Sequence, residues 1–194
     1  IYNGEYRGLY VLTEKIKRDV NRVNVSQNSF DAQSGVEISG GYVLRFGDND
    51  IYPQPEDRTD AQNIYLIILK DDFSSILNRH SLGDLENGFR KFFNEQYLID
   101  YMFNNELMHN VDAYGGSTFY YKDRDDIDGK IKFGPIWDND LSLGNTNYRN
   151  MPDDWMFTQN NYNLNFARFL SDTLFLKNFI DRWYELRMGY FSDE

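Results

Sequence analysis

Between Asn110 and Asp140 the chain reads NVDAYGGSTFYYKDRDDIDGKIKFGPIWDND, and no other stretch limits the fold as much. Ser117 to Lys122 is β-branched and aromatic, and Lys130 to Trp137 alternates apolar with polar residues, the pattern of a strand with one buried face. The acidic stretch between them, ending in Asp128-Gly129, is a hairpin connection. The midpoint of Asp112 and Asp138 is residue 125, inside that connection. A hairpin with nearly equal arms brings its outer ends together, so the spacing predicts that Asp112 and Asp138 are neighbours in space.

The remaining elements mix strands and helices, which makes the chain α+β. Asn3-Gly4 carries the signal of a tight hairpin turn with Ile1-Tyr2 and Tyr6 to Thr13 as its arms, because both central residues of a type I′ turn need positive φ. Since the chain opens at Ile1 inside that strand pattern, it reads as a fragment that lacks its amino-terminal part. The basic stretch EKIKRDVNRVNV reads as a solvated face, and Gly40 to Phe46 as a further strand. Residues 47–58, with Pro53 and Pro55, read as a surface loop.

Thr59 and Gln62 have the spacing of a capping box, so a helix is expected from Asp60 to about Asn78. It holds the longest apolar run, Ile64 to Leu69, which suits a packed helix. A second helix is expected from Glu95, capped by Asn94, with Ile99, Met102, Phe103 and Leu107 as one buried stripe. Glu106 interrupts that stripe. A buried carboxylate needs a partner, so Glu106 is either a core glutamate held by an Arg or by backbone amides, or a residue beside a catalytic site. From about Asn163 to Gly189 the tail is helical, with Phe166, Phe169 and Leu170 in one core stripe and Phe175, Phe179, Ile180, Trp183 and Leu186 in another.

Composition excludes several function classes. The 194 residues carry 20 Lys+Arg against 31 Asp+Glu, a net charge of −11, so the cationic surface that nucleic-acid binding needs is missing. With no cysteine, disulfides, thiolate nucleophiles and cysteine-based zinc sites are all ruled out. His80 and His109 are the only imidazoles. No apolar stretch approaches the roughly 20 residues that span a bilayer.

The hairpin prediction gives the carboxylates their interest. In an extended segment residues two apart face the same side, so Asp138 and Asp140 are expected to point together and to converge with Asp112. Like charges so close repel, and a cation removes the penalty. Oxygen donors alone suit Mg²⁺, Mn²⁺ or Ca²⁺. Mg²⁺ is commonly held by one or two carboxylates plus substrate phosphates, which leads to phosphoryl transfer: Asp112 would orient an acceptor hydroxyl and Asp138 would hold the metal. Aspartate is also common at strand ends, so spacing alone leaves a solvated turn and a metal site both open. In DRDDIDG, Ile127 stands where a calcium loop wants an oxygen ligand, which makes that run an acidic turn.

Four ordered blocks, NGEYRGLYVLTEKI, GGYVLRF, NELMHNVDAYGGSTFYYKD and KFGPIWDNDLSLGN, resemble the spore-coat-protein-H-like (CotH) kinase family. The resemblance runs from Ile1 to about Asn145, with a fitting aromatic tail. It implies one domain over residues 1–194 with an atypical protein-kinase-like fold: a small β-rich lobe (1–58), incomplete at its amino terminus, packed on a helical lobe (59–194) that carries the catalytic hairpin. The implied activity is Mg²⁺- or Mn²⁺-dependent transfer of the ATP γ-phosphate to Ser or Thr of a protein partner, in an extracytoplasmic or cell-surface setting.

Carried over residue by residue, Asp112 matches the family's catalytic aspartate and Asp138 its metal-binding aspartate. Arg45 stands where the nucleotide-contacting lysine is expected, with Glu14 as its acidic counterpart. A guanidinium and an ammonium are not equivalent on phosphates. Five residues after Asp112, kinase loops place an Asn on a second metal, whereas this chain has Ser117; Asp140 and Asn145 are the residues available to compensate. Two other readings stand beside active transfer: a nucleotide-binding pseudokinase, and a non-catalytic adhesion or carbohydrate-binding module using the aromatic and amide-rich loop Asn145 to Asn163.

Overall fold

Alternation along three short strands divides the apolar residues into two layers. The computed structural model describes residues 3–9, 13–47, 50–78, 82–84, 86–148, 151, 153–158 and 166–192. Its sheet is antiparallel, in the order β1 (Tyr42–Arg45), β2 (Phe119–Lys122), β3 (Ile131–Phe133). Tyr42 lies opposite Lys122, Arg45 opposite Phe119, and Tyr120 opposite Phe133. Tyr42, Leu44, Tyr120, Ile131 and Phe133 point into the main core, whereas Val43 and Phe119 join Ile16, Val23 and Val25 in a second, smaller cluster on the other face.

The expected central hairpin is present. Its connection is a short helix, α3 (Asp125–Asp128), rather than a tight turn. Cations neutralise that acidic stretch: the buried Lys122 pairs with Asp125 at 2.5 Å, Arg124 with Asp126 at 2.9 Å and Lys132 with Asp128 at 2.6 Å. β1 docks against the same hairpin so closely that a Cβ on Gly40 would sit 2.1 Å from the carbonyl carbon of Asp123. The sheet therefore joins the 1–58 portion to the 59–194 portion. Within 1–58 the described residues hold one named strand, β1, so this portion is less β-rich than expected. Asn3 and Gly4 have the positive φ of the expected turn, 48° and 80°; Ile1, Tyr2 and Tyr10 to Leu12 of its arms lie outside the described residues.

α1 (Asp60–Asn78) begins as the capping box requires. The Thr59 N–H donates to Gln62 Oε1 at 2.9 Å and the Gln62 N–H to Thr59 Oγ1 at 3.2 Å. Its buried stripe is Leu66, Leu69, Phe73, Ile76 and Leu77, whereas Ile64, Ile67 and Ile68 are exposed. The apolar run is thus only half packed, because a 3.6-residue period turns every third or fourth position outward. Phe73 stacks on Tyr120 of β2, ring centroids 4.6 Å apart, and burying a ring this fully is worth about 2–3 kcal/mol.

α2 (Glu95–Met108) starts where Asn94 accepts the Tyr97 N–H. Ile99, Met102 and Phe103 are buried as expected, but Leu107 is exposed. The tail breaks into a 3-10 turn, Phe166–Ser171, and α4 (Thr173–Arg187), separated by Asp172, whose carboxylate caps α4 by accepting the Phe175 N–H at 2.7 Å. The half-buried Arg90 pairs with both Glu95 and Asp172 and so ties the start of α2 to that of α4. Phe175, Phe179 and Leu186 are buried, whereas Ile180 and Trp183 of the same expected stripe stay exposed.

Candidate active site

α2 ends at Met108 because His109 turns into the left-handed region, φ 48° and ψ 50°. Asn110 follows and is almost fully buried. Its side-chain oxygen accepts the Asp112 N–H at 3.1 Å, an Asx-type turn that sets the loop carrying Asp112. Its amide donates across to Asn139 Oδ1 at 2.7 Å and toward the Asp138 carbonyl at 3.4 Å. One side chain thus ties the loop after α2 to the loop after β3. Leu143 N–H to the Met108 carbonyl, 2.8 Å, adds a second tie.

The hairpin closes as its spacing demands: beyond the last ladder pair, the Gly134 N–H still donates to the Phe119 carbonyl at 2.8 Å. Asp138 and Ser117 meet there, with the Ser117 hydroxyl donating to Asp138 Oδ2 at 3.3 Å. Asp112 lies within the field of both Asp138 and Asp140. Burial first, then repulsion from these two carboxylates, raises its carboxyl above the ordinary aspartate value. Among the described residues nothing donates a hydrogen bond to the Asp112 carboxylate.

The full convergence of three carboxylates is not formed. Among the described residues no group of three or more His, Asp or Glu side chains closes into a metal cage. The reason is local: Asp138 has φ 64°, so the extended alternation that would aim Asp138 and Asp140 together is broken at its first member. Asp140 is exposed, and its carbonyl accepts the Asn145 side-chain amide at 2.6 Å. What remains is Asp138 beside the Ser117 hydroxyl, with Asp112 within reach of its charge, oxygen donors of the kind a hard divalent ion takes.

Beside this set opens a cleft of about 530 Å³ against the smaller apolar cluster. Phe119 and Trp137 form its aromatic wall, ring centroids 6.2 Å apart, and Lys15, Lys17, Arg18 and Arg45 line it without a single carboxylate. Arg45 donates to the Gly116 carbonyl and lies 5.8 Å from the Phe119 ring centre, so it stands at the seam between cleft and carboxylates. Glu14 is not its partner: the structure pairs Glu14 with Arg22 at 3.5 Å. The basic stretch read as a solvated face instead folds over this cleft, anchored by the burial of Ile16 and by Arg18 Nε donating to the Val25 carbonyl at 2.9 Å. Sequence reasoning missed Lys15, Lys17, Arg18 and Trp137; only Trp137 left a signal, its adjacency to Asp138.

Glu106 proves to be held by amides and a hydroxyl rather than by an Arg. Oε1 accepts the Tyr114 hydroxyl at 2.5 Å and the Phe157 N–H at 3.1 Å, and Oε2 accepts the Met156 N–H at 2.7 Å. The described part of the loop Asn145 to Asn163 includes Trp155 stacked on Phe157, 5.4 Å between ring centroids.

No curated protein and no solved structure matches the chain. The family model described as CotH kinase protein matches residues 1–194, its full length. Because the match runs from end to end, the chain belongs to the CotH kinase family.

Proposed function

We propose that this domain is a divalent-metal-dependent protein kinase that transfers the γ-phosphate of ATP to a Ser or Thr hydroxyl of a partner protein. The observation that carries the reading is the cleft: in a chain of net charge −11, four cations line one aromatic-walled cavity whose lining includes Trp137, the residue before Asp138. Clustered cations focus a positive potential that suits a polyphosphate, and Phe119 with Trp137 offers flat apolar surface to a nucleobase. Family membership supports kinase chemistry. Among the described residues no helix is long and apolar enough to cross a membrane.

Lys15, Lys17 and Arg45 hold the phosphates. Asp138, with Ser117, would hold Mg²⁺ or Mn²⁺, which when bound offsets charge on the phosphate oxygens. Asp112 orients the acceptor hydroxyl and takes its proton as the oxygen bonds to the γ-phosphorus; the bond from that phosphorus to the bridging oxygen breaks and ADP leaves with the electron pair. A carboxyl raised above its usual value is a better proton acceptor than an ordinary aspartate.

The test is transfer of label from γ-labelled ATP to casein in the presence of Mg²⁺. Wild type should label Ser or Thr; Asp112→Asn should bind nucleotide normally and transfer at least about a hundred-fold more slowly. Unchanged transfer by Asp112→Asn overturns the assignment, and nucleotide binding by wild type without any transfer leaves a pseudokinase.

A further inference from the structure

α2 and α4 pack through Phe103, which stacks on Phe179 at 4.2 Å and on Trp183 at 5.8 Å between ring centroids. Along this seam runs a groove of about 670 Å³ that shares no lining residue with the nucleotide cleft. Leu107, Trp155, Leu176, Ile180 and Trp183 line it while remaining 36 to 53 % exposed. Scattered exposed apolar residues need no explanation, but five large ones lining one concave surface mark a binding site. Leu176, Ile180 and Trp183 repeat at one-turn intervals along α4, a stretch of about 10 Å that matches two turns of an opposing helix.

Glu106 alone interrupts the apolar lining with charge. Its three donors, the Tyr114 hydroxyl and the Met156 and Phe157 amides, are all neutral, and Oε2 takes only one of them. A carboxylate oxygen can accept two hydrogen bonds, so Glu106 keeps capacity for another donor. A negative group with spare acceptor capacity, set among aromatic rings, is complementary to an ammonium or guanidinium delivered on an apolar carrier, because the rings add cation–π attraction to the ion pair. The net charge of −11 acts in the same direction by drawing basic partners to the surface.

We infer that the α2–α4 groove docks an amphipathic helical segment of a partner protein, with its apolar face on Leu107, Leu176, Ile180 and Trp183 and one Lys or Arg directed at Glu106. This site is separate from the nucleotide cleft, so it stands or falls independently of the kinase reading.

The test uses the full chain and three synthetic peptides of about 14 residues, long enough for roughly four helical turns. All carry Leu and Phe at helical spacing and differ at one central position: Lys, Gln or Glu. Binding is read by calorimetry and by fluorescence of Trp155 and Trp183, with Trp137 as a constant background. The Lys peptide should bind, the Gln peptide should bind about ten-fold more weakly, and the Glu peptide more weakly still. Glu106→Gln should erase the difference between Lys and Gln peptides. Ile180→Glu, at an exposed position, should keep its unfolding temperature and lose affinity for all three. Equal affinity of wild type for the Lys and Gln peptides overturns the proposal, as does binding that survives Ile180→Glu. So does a stable dimer that Ile180→Glu dissociates, since a second copy then fills the groove. If Glu106→Gln unfolds, the Lys-to-Gln comparison on wild type still decides.

Discussion

Asp138→Asn should change stability with opposite signs in the absence and presence of ligand. The substitution keeps side-chain volume and keeps an oxygen for the Ser117 hydroxyl, now 3.3 Å from Oδ2. It also suits the backbone, since Asn tolerates the positive φ of 64° found there. What it removes is a negative charge that acts on Asp112. Both carboxylates face solvent in part, so the relieved repulsion is screened to on the order of 0.5 kcal/mol. For a chain of this length 1 kcal/mol moves the unfolding midpoint by about 2–4 °C, which makes metal-free Asp138→Asn about 1–2 °C more stable than wild type. With Mg²⁺ and a non-hydrolysable ATP analogue at a hundred-fold excess over Kd, linkage should stabilise wild type by about 2.7 kcal/mol, or roughly 5–11 °C. The variant should gain almost nothing. Differential scanning calorimetry on both proteins, with and without ligand, reads all four midpoints. A variant that is less stable than wild type without metal, or that gains as much with it, would refute the view that Asp138 and Asp112 form a repelling pair prepared for a cation.

Asn110→Ala strips the Asp112 N–H of its acceptor and Asn139 of its donor; about 2 kcal/mol should be lost, a fall of roughly 4–8 °C by thermal unfolding, together with most of the stabilisation by Mg²⁺ and nucleotide. Gly40→Ala places a methyl 2.1 Å from the Asp123 backbone, so it should cost more than about 3 kcal/mol and reduce soluble yield, which denaturant titration checks. Tyr42 and Tyr101 are pushed up to about 12 by burial. Because their folded pKa lies above the unfolded value, the stability they lend is complete below pH 10 and lost as pH climbs toward 12, so tyrosinate absorbance should appear together with loss of circular dichroism in that window.

Local signals were legible, and non-local placement was not. The Thr59–Gln62 box and the Asn94 cap depend on residues three apart, so sequence alone located the starts of α1 and α2. The hairpin was legible because strand pairing across a short connection is nearly local. Lys15, Lys17 and Arg18 gave no sign of the cleft, since their segment has no period to read. That region is held to the rest of the molecule by contacts distant in sequence, such as the Ser26 N–H donating to Asp123, 97 residues away. The left-handed turn at Asp138 was hidden for a related reason: aspartate is tolerated in that conformation without requiring it. The exposure of Leu107, Ile180 and Trp183 follows from where two helices cross, a quantity that helical periodicity does not contain.

Among the described residues two carboxyls, Glu106 and Asp112, are raised above their ordinary values, and in both burial is the leading cause. What opposes the shift separates them. Glu106 has three donors that favour its ionised form, and it fastens Tyr114 and the turn at Met156 in place. Asp112 has no donor on its carboxylate among the described residues, and its neighbours add repulsion rather than relief. An arrangement of that kind does not serve stability, since exchanging either aspartate for a neutral group would lower the energy of the folded chain. It persists because the backbone around it is fixed by other means: the Asx turn at Asn110, the amide link to Asn139 and the ladder of β2 and β3. On the proposed kinase reading, uncompensated charge held by a compensated framework would discharge its cost onto whatever enters, a metal ion at Asp138 or a hydroxyl proton at Asp112, which favours the end of the hairpin over Glu106 as the site of the chemistry.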